Sequence, residues 1–191
     1  PHKSVSYDTN PIIFLILFLC KVVNIAIKLY NLSMDTRKKI NIFVSYSHST
    51  KKISINFINR LFDYIKPSKK YEYSYWMDND LVIGKDWNKQ ILNAIKNCDC
   101  GLLLISPSFL SSKYIIDVEL KTLINENKKI IPVALRKIDL NRHDLKGLEK
   151  NQIFFYDKKN EKRAFSELNS EKDKEQFIAL LFQKIEQLLE D

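Results

Sequence analysis

A chain of 191 residues that is 45% hydrophobic, 12% aromatic and 28% charged has a globular composition and suits one domain with an appendage. Its net charge of +8 comes from Lys and Glu interleaved along the chain, with no basic run dense enough for a nucleic-acid patch. Cys20, Cys98 and Cys100 form no pairing framework and fit a reducing, cytoplasmic compartment, and His2, His48 and His143 share no metal spacing with them, so no metal is expected.

Ile12 to Cys20 is an unbroken apolar run that continues to Tyr30, interrupted by Lys21, Asn24 and Lys28. The interruptions fall at i, i+3 and i+7, one polar stripe of a helix. Nine clean residues are too few for a bilayer, which needs about 20, and lysines inside a longer span are costly. Three roles stay open for residues 1–33: a weak signal anchor, an amphipathic helix against a membrane or a partner through residues 12–30, or residues upstream of a start at Met34. Nothing in the segment supplies a carboxylate or aromatic cluster that the chain after Met34 lacks, so it is expected to govern location or solubility rather than chemistry.

From Met34 onward the pattern changes. "KINIFVSYS" (39–47) alternates as a strand, and 49–67 reads as a helix with Ser49 or Thr50 as cap, Ile53, Phe57, Leu61 and Ile65 on one face, and Pro67 as its stop. "YEYSYWMD" (71–78) is an aromatic strand. The loop 79–85 leads to Asp86, the expected N-cap of a helix with Ile91 and Ile95 inward. "CGLLLIS" (100–106) is a buried strand, and 114–127 a helix. "KKIIPVAL" (128–135) is a strand whose Pro132 suits an edge or a bulge, "NQIFFYD" (151–157) a fifth strand, and 170–191 a closing helix capped by Ser170.

Strands alternating with helices predict an α/β fold: a flavodoxin-like five-stranded parallel sheet in the order 2-1-3-4-5, helices on both faces, with the apolar N-terminal segment added. The expected division is an extension over 1–33 and a domain over 34–191. Ligands of such sheets bind where strands 1 and 3 end, here at Ser45-Tyr46 and Ser106-Pro107. Three common uses of that crevice are excluded. Gly84, Gly101 and Gly147 are too dispersed for a dinucleotide or phosphate loop, the strand ends lack the acidic cluster of a phospho-acceptor, and no G-x-S-x-G elbow is present.

"FVSYSHS" (43–49), "YWMDNDLVIGKDWNKQI" (75–91), "LLLISPSFLSSKYIIDVEL" (102–120) and "KKIIPVAL" resemble, in order, the motif blocks of TIR (Toll/interleukin-1 receptor) domains, those of the bacterial type above all. The resemblance covers residues 38–190. Members of that family are either assembly modules without chemistry or enzymes that cleave NAD+ at the nicotinamide–ribose bond, some cyclising the product. The resemblance implies an NAD+ glycohydrolase in a defence, cell-death or toxin setting, NAD+ being substrate rather than cofactor; the alternative is a non-catalytic TIR–TIR interaction module.

The resemblance also implies a site. Glu119 falls where enzymatic members carry their catalytic glutamate, after a Ser-rich turn and Tyr114, with Asp117 the competing position. Tyr46 and Ser47 would line the pocket, and Asp78, Gly84 and Trp87 match the loop and helix start that cover it. His48 stands near where some members carry a basic residue. The apolar tip Leu81-Val82-Ile83 is expected to meet a neighbouring copy in a homotypic assembly. Without the resemblance, Glu119 would read as an exposed helix carboxylate, Trp76 and Trp87 as packing residues, and Cys98 and Cys100 as buried filler.

Overall fold

The computed structural model describes residues 11–34, 37–80 and 84–190. The chain divides into two units, Pro1–Arg37 and Lys38–Asp191. Among its described residues the first contains the helix α1 (Pro11–Met34), on which Ile12, Ile13, Leu15 to Leu19, Val22, Val23 and Ile25 are exposed. Among the described residues no helix is long and apolar enough to cross a membrane.

The second unit is a four-stranded parallel sheet in the order β2-β1-β3-β4, formed by β1 (Lys38–Tyr46), β2 (Tyr71–Trp76), β3 (Cys100–Ile105) and β4 (Lys129–Ala134). Ile42 stands beside Tyr75 on one side and Cys100 on the other, and Leu102 beside Ile131. All six residues of β3 are buried, which is why that strand reads as continuous rather than alternating apolar sequence.

Side-chain alternation along β1 feeds two cores. Ile40, Ile42 and Val44 pack with Phe57, Leu61 and Ile65 of α2 (Lys51–Ile65) and Phe177, Leu181 and Ile185 of α6 (Glu171–Glu190). Phe43 faces the other way, toward Ile91 and Ile95 of α3 (Trp87–Asn97), Phe109 and Leu110 of α4 (Pro107–Leu110), and Leu123 of α5 (Lys121–Asn125). Ser45 shares the parity of Phe43 and so lies on the α3 side.

Three expectations are corrected. The fifth strand is reduced to a single parallel bridge between Val133 and Phe154, held by Phe154 N–H to Pro132 O (2.8 Å) and Ala134 N–H to Phe154 O (2.9 Å). The chain then turns away into an antiparallel hairpin of β5 (Tyr156–Lys158) and β6 (Glu161–Arg163). Apolar alternation over 153–155 is real, because Phe154 joins the α2/α6 core while Ile153 and Phe155 join the other; the backbone ladder that would make it a strand does not follow. Pro132 matches the sequence expectation in part, since β4 is the last full strand of the sheet.

At the start of α2, Thr50 makes no side-chain cap; its hydroxyl donates to Ser47 O at 2.8 Å instead. Asp86 does cap α3, accepting from Lys89 N–H at 3.1 Å, and Ser170 accepts from Asp173 N–H at 3.0 Å at the start of α6. The helix expected over 114–127 is not uniform: Ile115–Leu120 is a π-helical turn that runs into α5. Such wide turns within helices are frequent at functional sites, and this one contains Glu119.

Candidate active site at the ends of β1 and β2

Because β1 and β2 are parallel neighbours and the chain leaves both at the same end, Ser45, Tyr46, Ser47 and His48 come together with the end of β2, the start of α3 and the segment after α4. They line a cavity of about 310 Å³ with Trp76, Asp78, Trp87, Ser112, Tyr114 and Glu119. The volume is at the lower end of ligand sites, about 300–1,000 Å³. It suits a single nucleoside-sized group.

Of the residues singled out in the sequence, Tyr46, Ser47, Asp78, Trp87, Tyr114 and Glu119 line this one cavity. Gly84 does not. It adopts φ +84°, a left-handed turn that glycine enters without the penalty other residues meet, in the loop before α3. Leu81, Val82 and Ile83 lie outside the described residues. Asp117 points away from the cavity and pairs with Lys121 at 2.7 Å in solvent.

Glu119 differs most from what its position in a helix suggests. It is 9% exposed, on the face of the π turn that meets β1. Its Oε2 accepts a hydrogen bond from Ser45 Oγ at 2.5 Å. Burial pushes its carboxyl up to about 7 from an ordinary 4.5; the Ser45 bond opposes the shift and the nearby charge of Asp78 adds to it. A carboxylate poised near neutrality can both carry charge and exchange a proton at physiological pH.

Opposite Glu119 sits a second polar group. Tyr46 Oη donates to Asp78 Oδ1, and His48 Nδ1 lies 3.3 Å from Asp78 Oδ2. Burial first, then the bond and charge of Asp78, then Glu119, raise the Tyr46 hydroxyl above its ordinary range, so it remains a donor. Aromatic faces complete the cavity. Trp87, half-exposed at the first turn of α3, tilts against Tyr114 with ring centroids 4.7 Å apart, and the Tyr114 hydroxyl donates to Asn88 Oδ1 at 2.8 Å. Trp76 stacks on Phe43 at 5.5 Å and closes the floor.

Ser45 was not singled out as a site residue. The signal was present in the parity of β1, which sets a hydroxyl at position 45 on the side of Phe43 and α3, where the carboxylate arrives. Among the described residues no cluster of three or more His, Cys, Asp or Glu is arranged to hold a metal ion.

Two carboxylates, hydroxyls from Ser45 and Tyr46 and three aromatic faces therefore surround a small cleft at the carboxyl ends of β1 and β2. No curated protein matches the chain. Among solved structures it is similar to the crystal structure of the TIR domain of the Toll-related receptor TRR-2 from Hydra magnipapillata, at 17% identity and a TM-score of 0.43, covering 52% of this chain and 73% of that one. The sequence profile described as TIR domain matches residues 42–185, well over half of the chain, and the chain belongs to the TIR domain family.

Proposed function

We propose that the protein is an NAD+ glycohydrolase that breaks the nicotinamide–ribose bond, giving ADP-ribose or a cyclic variant, in a defence, cell-death or toxin setting. The observation that carries this reading is a buried carboxylate, Glu119, aimed into a nucleoside-sized cavity beside aromatic rings.

The chemistry asks little of the protein. The nicotinamide of NAD+ is cationic and leaves neutral: the C1′–N1 bond breaks and its electron pair stays on the ring nitrogen. No acid is needed to protonate the leaving group, which removes one of the two carboxyls a glycosidase uses. The ionised Glu119 stabilises positive charge developing on the ribose, and its burial strengthens that stabilisation. Water then bonds to C1′ and gives up a proton, which Glu119 can accept. Trp87 and Tyr114 offer faces for the pyridinium ring, as cations favour aromatic faces. Asp78 adds a second negative charge suited to a cationic ring.

A second reading rests on the family itself. TIR domains engage in homotypic TIR–TIR interactions, and the sequence holds three consecutive apolar residues, Leu81-Val82-Ile83, of a kind suited to such a contact. On that reading the cavity is incidental. Incubating concentrated protein with excess NAD+ and following nicotinamide separates the two. Release that disappears in Glu119→Gln supports the enzyme; a folded, self-associating protein that releases none supports the assembly module.

A further inference from the structure

Buried hydroxyls in this domain mostly serve the backbone next to them. Thr50 bonds Ser47 O, Ser54 bonds Thr50 O, and Ser106 caps α4 by accepting from Phe109 N–H. Ser45 does not. It is 2% exposed, and its hydroxyl has one side-chain partner among the described residues, the Glu119 carboxylate 74 positions away. A strand serine and a π-turn glutamate are thus tied across the floor of the cavity.

Resting on the hydrolase reading, we propose that Ser45 is a positioning residue for Glu119: its hydroxyl pins Oε2 and leaves Oε1 to face the ribose and the attacking water. Two consequences follow from a single short bond. The carboxylate loses rotational freedom about its last torsion, which is otherwise broad. The bond also favours the ionised form, holding the carboxyl lower than burial alone would leave it. The other titratable groups facing Glu119 are Asp78 from the loop after β2, Tyr46 at the end of β1 and Tyr114 before the π turn, and His48 lies beside Asp78. None of these donates a hydrogen bond to the carboxylate. Ser45 is the donor that can set both its orientation and its protonation.

The test uses the full chain with Ser45→Ala and Ser45→Thr. In Ser45→Ala, nicotinamide release should lose about tenfold in kcat with KM within about twofold, because a transition-state interaction is weakened and ground-state binding is not. The acidic limb of its pH profile should move upward by about one unit, the size expected for loss of a hydrogen bond to a charged group. Thr retains the hydroxyl and should recover both. Carbon-13 titration of the Glu119 carboxyl, identified by its absence in Glu119→Gln, should give the same upward shift without reference to turnover. Should the Ala variant not fold, Ser45→Cys keeps a similar shape with a weaker donor and should shift in the same direction.

An unchanged carboxyl titration overturns the proposal, as does a fall in kcat with the pH profile unmoved, which would mark Ser45 as packing. If the wild-type protein releases no nicotinamide, the hydrolase reading fails. The carboxyl titration then decides alone whether Ser45 governs Glu119.

Discussion

Asp117 and Glu119 stand two residues apart on one π-helical turn and face opposite environments. Asp117 is in solvent, paired with Lys121 at 2.7 Å, whereas Glu119 is buried against Ser45. Their substitutions should therefore separate. Glu119→Gln keeps the shape and an acceptor for Ser45 but removes the charge, and should lower nicotinamide release by about 10²–10³-fold, the usual loss when one main electrostatic stabiliser is removed. Asp117→Ala breaks an exposed i,i+4 pair of little energetic weight, so its rate should stay within about twofold. Initial rates at saturating NAD+ check both; equal losses would mean that the turn, not Glu119, is what matters.

Activity and stability should respond to pH in opposite senses. The Glu119 carboxyl is raised to about 7 by burial, from an ordinary 4.5 in an unfolded chain. Between those values the folded protein holds the proton more tightly than the unfolded one. Stability from this group is full below about pH 4.5 and is lost as pH rises to 7. The ionised form that chemistry needs appears over the same window. Nicotinamide release should accordingly rise through pH 7, and Glu119→Gln should stabilise the fold at pH 8 by up to roughly 3 kcal/mol, at about 1.4 kcal/mol per pH unit. At pH 4.5 the two proteins should melt alike. Thermal unfolding of both at the two pH values checks this, and a variant less stable at pH 8 would contradict it.

Trp87 offers a sharper division between binding and folding. It is 52% exposed at the first turn of α3 and touches Tyr114 rather than the core. Trp87→Ala should leave the urea midpoint nearly unchanged, as surface substitutions generally do. Loss of its stacking face should raise KM for NAD+ by about tenfold, corresponding to about 1.4 kcal/mol. A large fall in stability would instead assign Trp87 to packing.

Tyr46→Phe isolates the hydroxyl that holds Asp78. The ring is 7% exposed and packs with the α2/α6 core, so Phe preserves that contact. Asp78 is left with His48 as its partner. The carboxylate should reorient, and KM should rise several-fold with a smaller change in kcat. Steady-state kinetics check the split; a fall in kcat alone would place Tyr46 among the reacting groups instead.

What the sequence disclosed depended on period. Two-residue alternation in β1 and the four-residue spacing of Ile53, Phe57, Leu61 and Ile65 are local patterns, and the strands and helices they announce are present. The π turn at Ile115–Leu120 left no such trace, because a single widened turn changes hydrogen bonding without changing which residues are apolar. The same turn takes Glu119 out of solvent, so its burial was not legible either. The fifth strand failed for the converse reason: Ile153, Phe154 and Phe155 alternate between two cores as a strand would, but alternation reports side chains and not the backbone ladder. The cavity was legible in half: Ser45 and Tyr46 at the end of β1 line it, whereas Ser106 and Pro107 at the end of β3 do not, and the segment after α4 supplies Ser112, Tyr114 and Glu119 instead.

β3 and α5 approach each other closely at Gly101, just past the π turn. A Cβ built on Gly101 of β3 would lie 2.8 Å and 2.9 Å from the two methyl carbons of Leu123, the fully buried residue of α5 just after the turn. Gly101→Ala should press on the Leu123 side chain, which is fully buried and must repack, in the helix that follows the turn carrying Glu119. Overpacking of this kind costs about 1–3 kcal/mol. Because the displaced side chain is the far end of a leucine, Leu123→Ala in the same protein should relieve the clash. The double variant should then be more stable than the sum of the two single losses predicts, with a coupling of about 1 kcal/mol or more between residues in direct contact. Urea denaturation of the four proteins measures it, and nicotinamide release should fall in Gly101→Ala in step with displacement of the turn. Strict additivity of the two substitutions would show that β3 and α5 do not press on each other at this point.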